Sequence, residues 1–157
     1  RKKKQQGIWK NDVHEIGYKY QMTDIAATMG CDSLKEFNQI IRHRKKIYKT
    51  YLNELSKNKK VKCIHDYNKK KSHGAWLLTI SINNKDFVQR KLRDHNIETN
   101  QVHFRNDRYS IFKKYTKGKK FPNMDYLENR YLVLPLHHKV SIKDAKYISG
   151  LVNKYAK

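Results

Sequence analysis

The chain has 157 residues, enough for one compact domain or two small ones; 38% are hydrophobic and 32% charged, and 36 Lys and Arg against 14 Asp and Glu give a net charge of +22. No apolar run approaches the roughly 18 residues that span a bilayer, and Cys31 and Cys63 are too few and too far apart for a disulfide framework or a cysteine metal site, so no membrane, no metal and a reducing cytoplasm are expected. Basic runs such as Lys2-Lys3-Lys4, Lys69-Lys70-Lys71 and Lys117-Gly118-Lys119-Lys120 would draw nucleic acid by counterion release, but they are scattered through polar connecting stretches, so solvated loops account for most of them.

Residues 1–16 are polar, carry no period and read as a connecting segment; beginning at Arg1 without Met or an apolar leader, the chain reads as a fragment or processed product. Thr23 is placed to cap a short helix through Ile25 and Met29, with Asp24 in its first turn and Gly30 at its end. A second helix is expected from Ser33, with Glu36 three positions on in capping-box spacing. Its apolar positions Leu34, Phe37, Ile41, Tyr48, Leu52 and Leu55 recur at helical intervals, and Arg42, Lys45, Lys46 and Lys49 lie opposite. This amphipathic helix of about six turns ends at Asn58-Lys59-Lys60.

Strands and helices then alternate. Val61–Ile64 alternates, and Ala75–Ile82 is a nearly continuous apolar β-forming run, as in a strand covered on both faces. Asn83 or Asn84 caps a helix carrying Phe87, Val88 and Leu92, and Thr99–Phe104 reads as a further strand. A turn at Phe121-Pro122-Asn123 precedes a helix near Asp125–Tyr131, and Val133–Leu136 runs extended, with Pro135 marking an edge or strand end. Ser141 and Asp144 open a final helix whose Ala145, Ile148, Val152 and Tyr155 share one face. No internal repeat is present, and no RNA-recognition, KH, zinc-finger or helix-turn-helix signature supports a nucleic-acid-binding module.

Several blocks in order carry a resemblance. "GYKYQMTDIAATMG", residues 17–30, is followed by "SLKEFNQIIRHRKKIYKTYLNEL", "AWLLTISI", "IET", "QVHFRNDRYSIF", "FPNMDYLENRYLVLPLHH" and the closing "SIKDAKYI" helix. Together they resemble the pyridoxal-phosphate-dependent sugar aminotransferases of the DegT/DnrJ/EryC1/StrS family. The resemblance implies an α/β fold, the C-terminal part of a type I aminotransferase. Residues 1–57 would end the large domain and form the connecting helix, and residues 58–157 would form the small α/β domain.

It further implies pyridoxal 5'-phosphate as cofactor, a nucleotide-linked keto sugar as substrate, glutamate as amino donor, and a homodimer with its sites at the interface. The family's Schiff-base lysine, pyridine-nitrogen aspartate and aromatic stacking residue precede the "GYKY" glycine, so no catalytic residue is assigned within this chain. Some relatives carry His for that lysine and are dehydratases, an alternative on the same fold. By position, Lys19 and Gln21 would touch the cofactor phosphate of the other subunit; Gln21 departs from the usual Asn or Arg but keeps an amide donor.

The segment His103–Phe112 resembles the loop that lies over the nucleotide-sugar. The resemblance makes His103, Arg105, Asn106, Asp107, Arg108 and Tyr109 candidate substrate contacts. Arg105 or Arg108 would grip a diphosphate, and His103, Asn106 and Asp107 can serve sugar hydroxyls. The competing reading is a turn in which Arg105 pairs with Asp107 while Tyr109 and Phe112 enter the core. Trp76 is expected in the core, His137-His138 is expected to be structural, and Leu77 stands where many relatives carry His.

Overall fold

Thr23 opens the first helix as expected: its hydroxyl accepts from the Ala26 amide at 3.2 Å. The computed structural model describes residues 17, 22–64 and 74–157. Within it α1 runs unbroken over Asp24–Leu55, 32 residues, which corrects the expectation of two helices meeting at Gly30. Gly30 has no positive φ, and a single helical glycine costs only about 1 kcal/mol against alanine. Ser33 does not cap a second helix either; its hydroxyl donates to the Met29 carbonyl one turn back at 2.8 Å, a bond open to any mid-helix serine.

The helix is buried only in its C-terminal half, through Ile47, Tyr48, Tyr51 and Leu55. Leu34 and Phe37, read as part of the apolar face, are exposed, as are Met22, Ile25 and Met29. Periodicity marks a face that wants cover; only Ile47 and beyond reach the core of the described residues.

Three short strands, β1 (Lys62–Ile64), β2 (Leu78–Ser81) and β3 (Tyr131–Leu134), form an antiparallel sheet in the order β1-β2-β3. The central β2 is the apolar run read from sequence, and its register sets Leu78 opposite Leu134 and Ile80 opposite Leu132. These four belong to one buried cluster with Tyr51 and Leu55 of α1, Val88 and Leu92 of α2 (Lys85–Asp94), and Ala145, Ile148 and Val152 of α5 (Ile142–Tyr155). Helix α5 packs against both α1 and α2, so α1 and the sheet share a core.

Polar bonds tie this core to the chain's turns. Asn58 donates to the Asn153 carbonyl at 3.2 Å and Asn153 returns the bond to the Glu54 carbonyl at 3.0 Å, joining the ends of α1 and α5. Tyr51 donates its hydroxyl to the Pro135 carbonyl at 3.1 Å, and Arg44 reaches the Trp76 carbonyl at 2.9 Å. Asn84 sits before α2 as expected but its side chain makes no cap bond; its Nδ2 donates to the Tyr155 carbonyl at 2.9 Å and its Oδ1 accepts from the Lys157 amide at 3.1 Å. The Ser141 capping box is present, with Asp144 accepting from the Ser141 amide at 2.9 Å.

Two expected elements move. Thr99–Phe104 is not a strand: only Asn100 bridges to Val133, because the Asn100 side chain takes the Gln101 amide at 2.7 Å and Gln101 turns its own amide to Glu128, replacing ladder bonds. The helix placed at 125–131 is α4, Pro122–Glu128. Proline, with φ already helical and no amide to satisfy, starts it instead of turning before it, and Tyr131 passes to β3, which stops before Pro135 as expected. A further short helix, α3 (Lys113–Thr116), precedes α4. No described helix is long and apolar enough to cross a membrane.

Candidate functional site

Residues 101–109 form a loop whose path is set by side chains bonding main chain. Gln101 is buried and donates to the Glu128 carbonyl, and the Tyr131 hydroxyl donates to the His103 carbonyl. Burial, then the Glu128 charge, pushes the Tyr131 hydroxyl up from its ordinary value, so it stays a donor. Asn106–Arg108 then makes a single 3-10 turn, the Arg108 amide reaching the Arg105 carbonyl at 3.1 Å.

Arg105 is the pivot of this turn. It is only 6% exposed. Its Nε and Nη2 donate to the two oxygens of Asp107 at 2.9 and 2.7 Å, and Nη1 donates to Asp125 at 2.5 Å and Glu128 at 3.1 Å. Four of its five N–H groups are therefore committed to carboxylates. Arg108 donates from Nη2 to the same Glu128 oxygen at 2.7 Å. Three carboxylates thus face two guanidinium groups. The bonds from Asp107 and then Asp125 drive the Arg105 guanidinium above its ordinary value, and Arg105 in turn holds the Asp107 carboxyl below the usual range.

The competing reading of this segment therefore describes its turn: Arg105 pairs with Asp107 inside the protein. It fails at the aromatics. Phe112 is 37% exposed because it closes a second 3-10 turn, Ser110–Phe112, along the surface. The separate expectation of a core Trp76 fails too: it is 62% exposed, its carbonyl accepting from Arg44 and its ring centroid 6.1 Å from that of His103. Tyr109 is half-buried, edge-on to Phe104 at 5.2 Å.

His103 and Asn106 are exposed, and the Arg108 side chain is half exposed. The loop brings these three to an open face and draws Arg105 and Asp107 inward. A groove of about 640 Å³ between β3 and α5 is lined by Val102, Val133, Pro135, Lys139 and Tyr147, among others; His103 and residues 105–108 do not line it. Lys19 and Gln21 lie outside the described residues. His137 and His138 are exposed neighbours, ring centroids 6.2 Å apart, and no cluster of three or more metal-binding side chains occurs among the described residues.

Sequence reasoning missed Asp125, Glu128 and Tyr131, and placed Trp76 in the core. A signal existed for the two acids: in "PNMDYLE" they stand three apart, on one helical face, within reach of an arginine-rich segment.

A family model for the DegT/DnrJ/EryC1/StrS aminotransferase family matches residues 1–153. The chain is 29% identical over 146 residues to UDP-4-amino-4,6-dideoxy-N-acetyl-beta-L-altrosamine transaminase of Campylobacter jejuni, covering 90% of this chain and 39% of that protein. Among solved structures it is similar to the sugar aminotransferase CalS13 from Micromonospora echinospora, with a TM-score of 0.77 at 19% identity over 88% of this chain and 37% of that one. It also resembles the aminotransferase TlmJ from Streptoalloteichus hindustanus, with a TM-score of 0.76 at 22% identity over 93% and 40%. The chain thus spans about two fifths of the length of these relatives. With the long helix, the three-stranded sheet and the closing helix in the expected order, it belongs to the DegT/DnrJ/EryC1/StrS aminotransferase family and has the fold of its C-terminal part.

Proposed function

We propose that this chain is the C-terminal portion of a pyridoxal-phosphate-dependent nucleotide-sugar aminotransferase, which makes an amino-deoxy sugar from a keto sugar with glutamate as donor. In this reading residues 1–57 end the large domain and supply the connecting helix, and residues 58–157 form the small domain. The protein works in the cytoplasm as a homodimer with its sites at the subunit interface. The observation that carries the reading is the family match across residues 1–153.

The described residues do not by themselves form a cofactor site. Arg105, the most buried cation of the loop, is spent on carboxylates, and Lys19 and Gln21, the residues assigned to the cofactor phosphate, lie outside the described residues. When bound, the cofactor supplies the electron sink for amino transfer, and protein groups supply orientation. This chain's share is substrate binding: His103 and Asn106 offer donors and acceptors to sugar hydroxyls, and Arg108 offers a guanidinium to phosphate.

The test is a longer protein that carries this chain at its C-terminus. Purified, it is expected to show the absorbance of bound pyridoxal phosphate, to change that spectrum with glutamate, and to lose both when the upstream Schiff-base lysine is replaced. A protein that never takes up the cofactor refutes the reading. Release of water without net amino transfer would instead identify a keto-sugar dehydratase.

A further inference from the structure

The loop holds two arginines three residues apart, and the structure treats them differently. Arg105 has a side chain 4% exposed and four N–H groups bound by Asp107, Asp125 and Glu128. An incoming diphosphate would have to displace carboxylates that reach Arg105 from two elements, its own turn and α4. Arg108 is half exposed and, among the described residues, forms one ion pair, to Glu128, whose side chain is itself 27% exposed. An exposed pair of this kind is weak and exchanges readily for another anion.

We propose that Arg105 is a positioning residue that pins the loop to α4, and that Arg108 is the residue that binds the substrate's phosphate, with Glu128 as its resting partner. The proposal rests on the nucleotide-sugar reading above and deepens it. The arrangement has a physical logic. One Glu128 oxygen accepts from both arginines, so when Arg108 turns to a diphosphate, Arg105 keeps Glu128 ion-paired and no carboxylate is left without a cation. Arg105 also fixes the turn that sets the direction of Arg108, because the Arg108 amide bonds the Arg105 carbonyl. His103, exposed, precedes this turn by two residues in the same loop, its carbonyl held by Tyr131, so pinning the loop positions both exposed groups. The carboxylate competes with the anion for Arg108, which makes Glu128 a brake on affinity.

The experiment measures the Kd of UDP, GDP and dTDP by calorimetry on the full-length protein and on R108Q, E128Q and R105K, together with hydrogen exchange of residues 101–109. R108Q is expected to weaken the best-bound nucleotide about tenfold or more, the loss of a charge-assisted pair, with wild-type exchange. E128Q keeps an acceptor for Arg105 but frees Arg108, and should tighten binding several-fold. R105K should speed exchange across 101–109 and weaken the nucleotide only in step with that loosening. If R105K does not fold, D125N replaces it, since Asp125 is 60% exposed and its amide leaves no buried charge alone.

Three results overturn the proposal: R105K weakening the nucleotide, or D125N tightening it, while the loop keeps wild-type protection, which would put Arg105 on the phosphate; R108Q leaving Kd unchanged; or E128Q weakening binding. A wild-type protein that binds none of the three nucleotides defeats the nucleotide-sugar reading and the phosphate role of Arg108 with it. The pinning role of Arg105 is still decided in that case by the exchange data.

Discussion

Replacing Gly30 with alanine separates one continuous α1 from two helices meeting at a glycine. Were Gly30 the left-handed residue that ends a short helix, a Cβ there would cost about 1 kcal/mol or more, and helicity would fall. In the structure Gly30 lies inside α1 without a positive φ, and an added Cβ meets no atom within 4 Å. The full helix-propensity difference is then available, about 0.8–1.0 kcal/mol in favour of alanine, or about fourfold to fivefold in the local helix equilibrium. Because α1 is buried only from Ile47 onward, this gain stays local. Far-ultraviolet circular dichroism of G30A should show more helix, hydrogen exchange of residues 24–36 should slow by about that factor, and the urea midpoint of the core should not move. Gly150 is the control: it is exposed, helical and equally free of contacts, but its helix α5 buries Ala145, Ile148, Ser149, Leu151 and Val152. G150A should therefore raise global stability by about 0.8–1.0 kcal/mol and the thermal midpoint by about 2–4 °C. Lower helicity in G30A, or a destabilised G150A, would refute the reasoning.

Replacing Arg105 with Met leaves three carboxylates together without their shared cation, and should destabilise the protein by about 3 kcal/mol. That is the low end for breaking a buried pair, because Asp125 is largely exposed; chemical denaturation measures it. Ser141→Ala removes the hydroxyl that caps α5 and should cost about 1 kcal/mol, read from the urea midpoint. Because Arg105 depresses the Asp107 carboxyl, the stability from that pair is fully present above the ordinary carboxylate value of about 4 and is lost as pH falls through the depressed one. The urea midpoint should drop across that acid window in the wild type and more shallowly in D107N; equal slopes would exclude Asp107 as a contributor.

The elements that depend on near neighbours were legible in the chain itself. Thr23 and Ser141 cap because the amides they satisfy lie three positions on; β2 carries Leu78 and Ile80 on one buried face, part of the apolar run; β3 stops before Pro135, whose nitrogen has no proton to give the ladder. The family blocks were legible for another reason: their order along the chain is itself information. Other features required the folded chain. Gly30 can end a helix or continue one, and local signals did not decide which. Trp76 and Phe112 are apolar enough for a core, yet the available core is filled by Tyr48, Tyr51 and the sheet residues, leaving both rings outside. Above all, Arg105 and Arg108 are the same residue type in one turn, and composition gives each the same appetite for phosphate. Only the arrival of α4 completes the division, because Asp125 and Glu128 lie 20 and 23 residues beyond Arg105, and the energy of an ion pair falls with distance in space and rises with burial, whatever the separation along the chain.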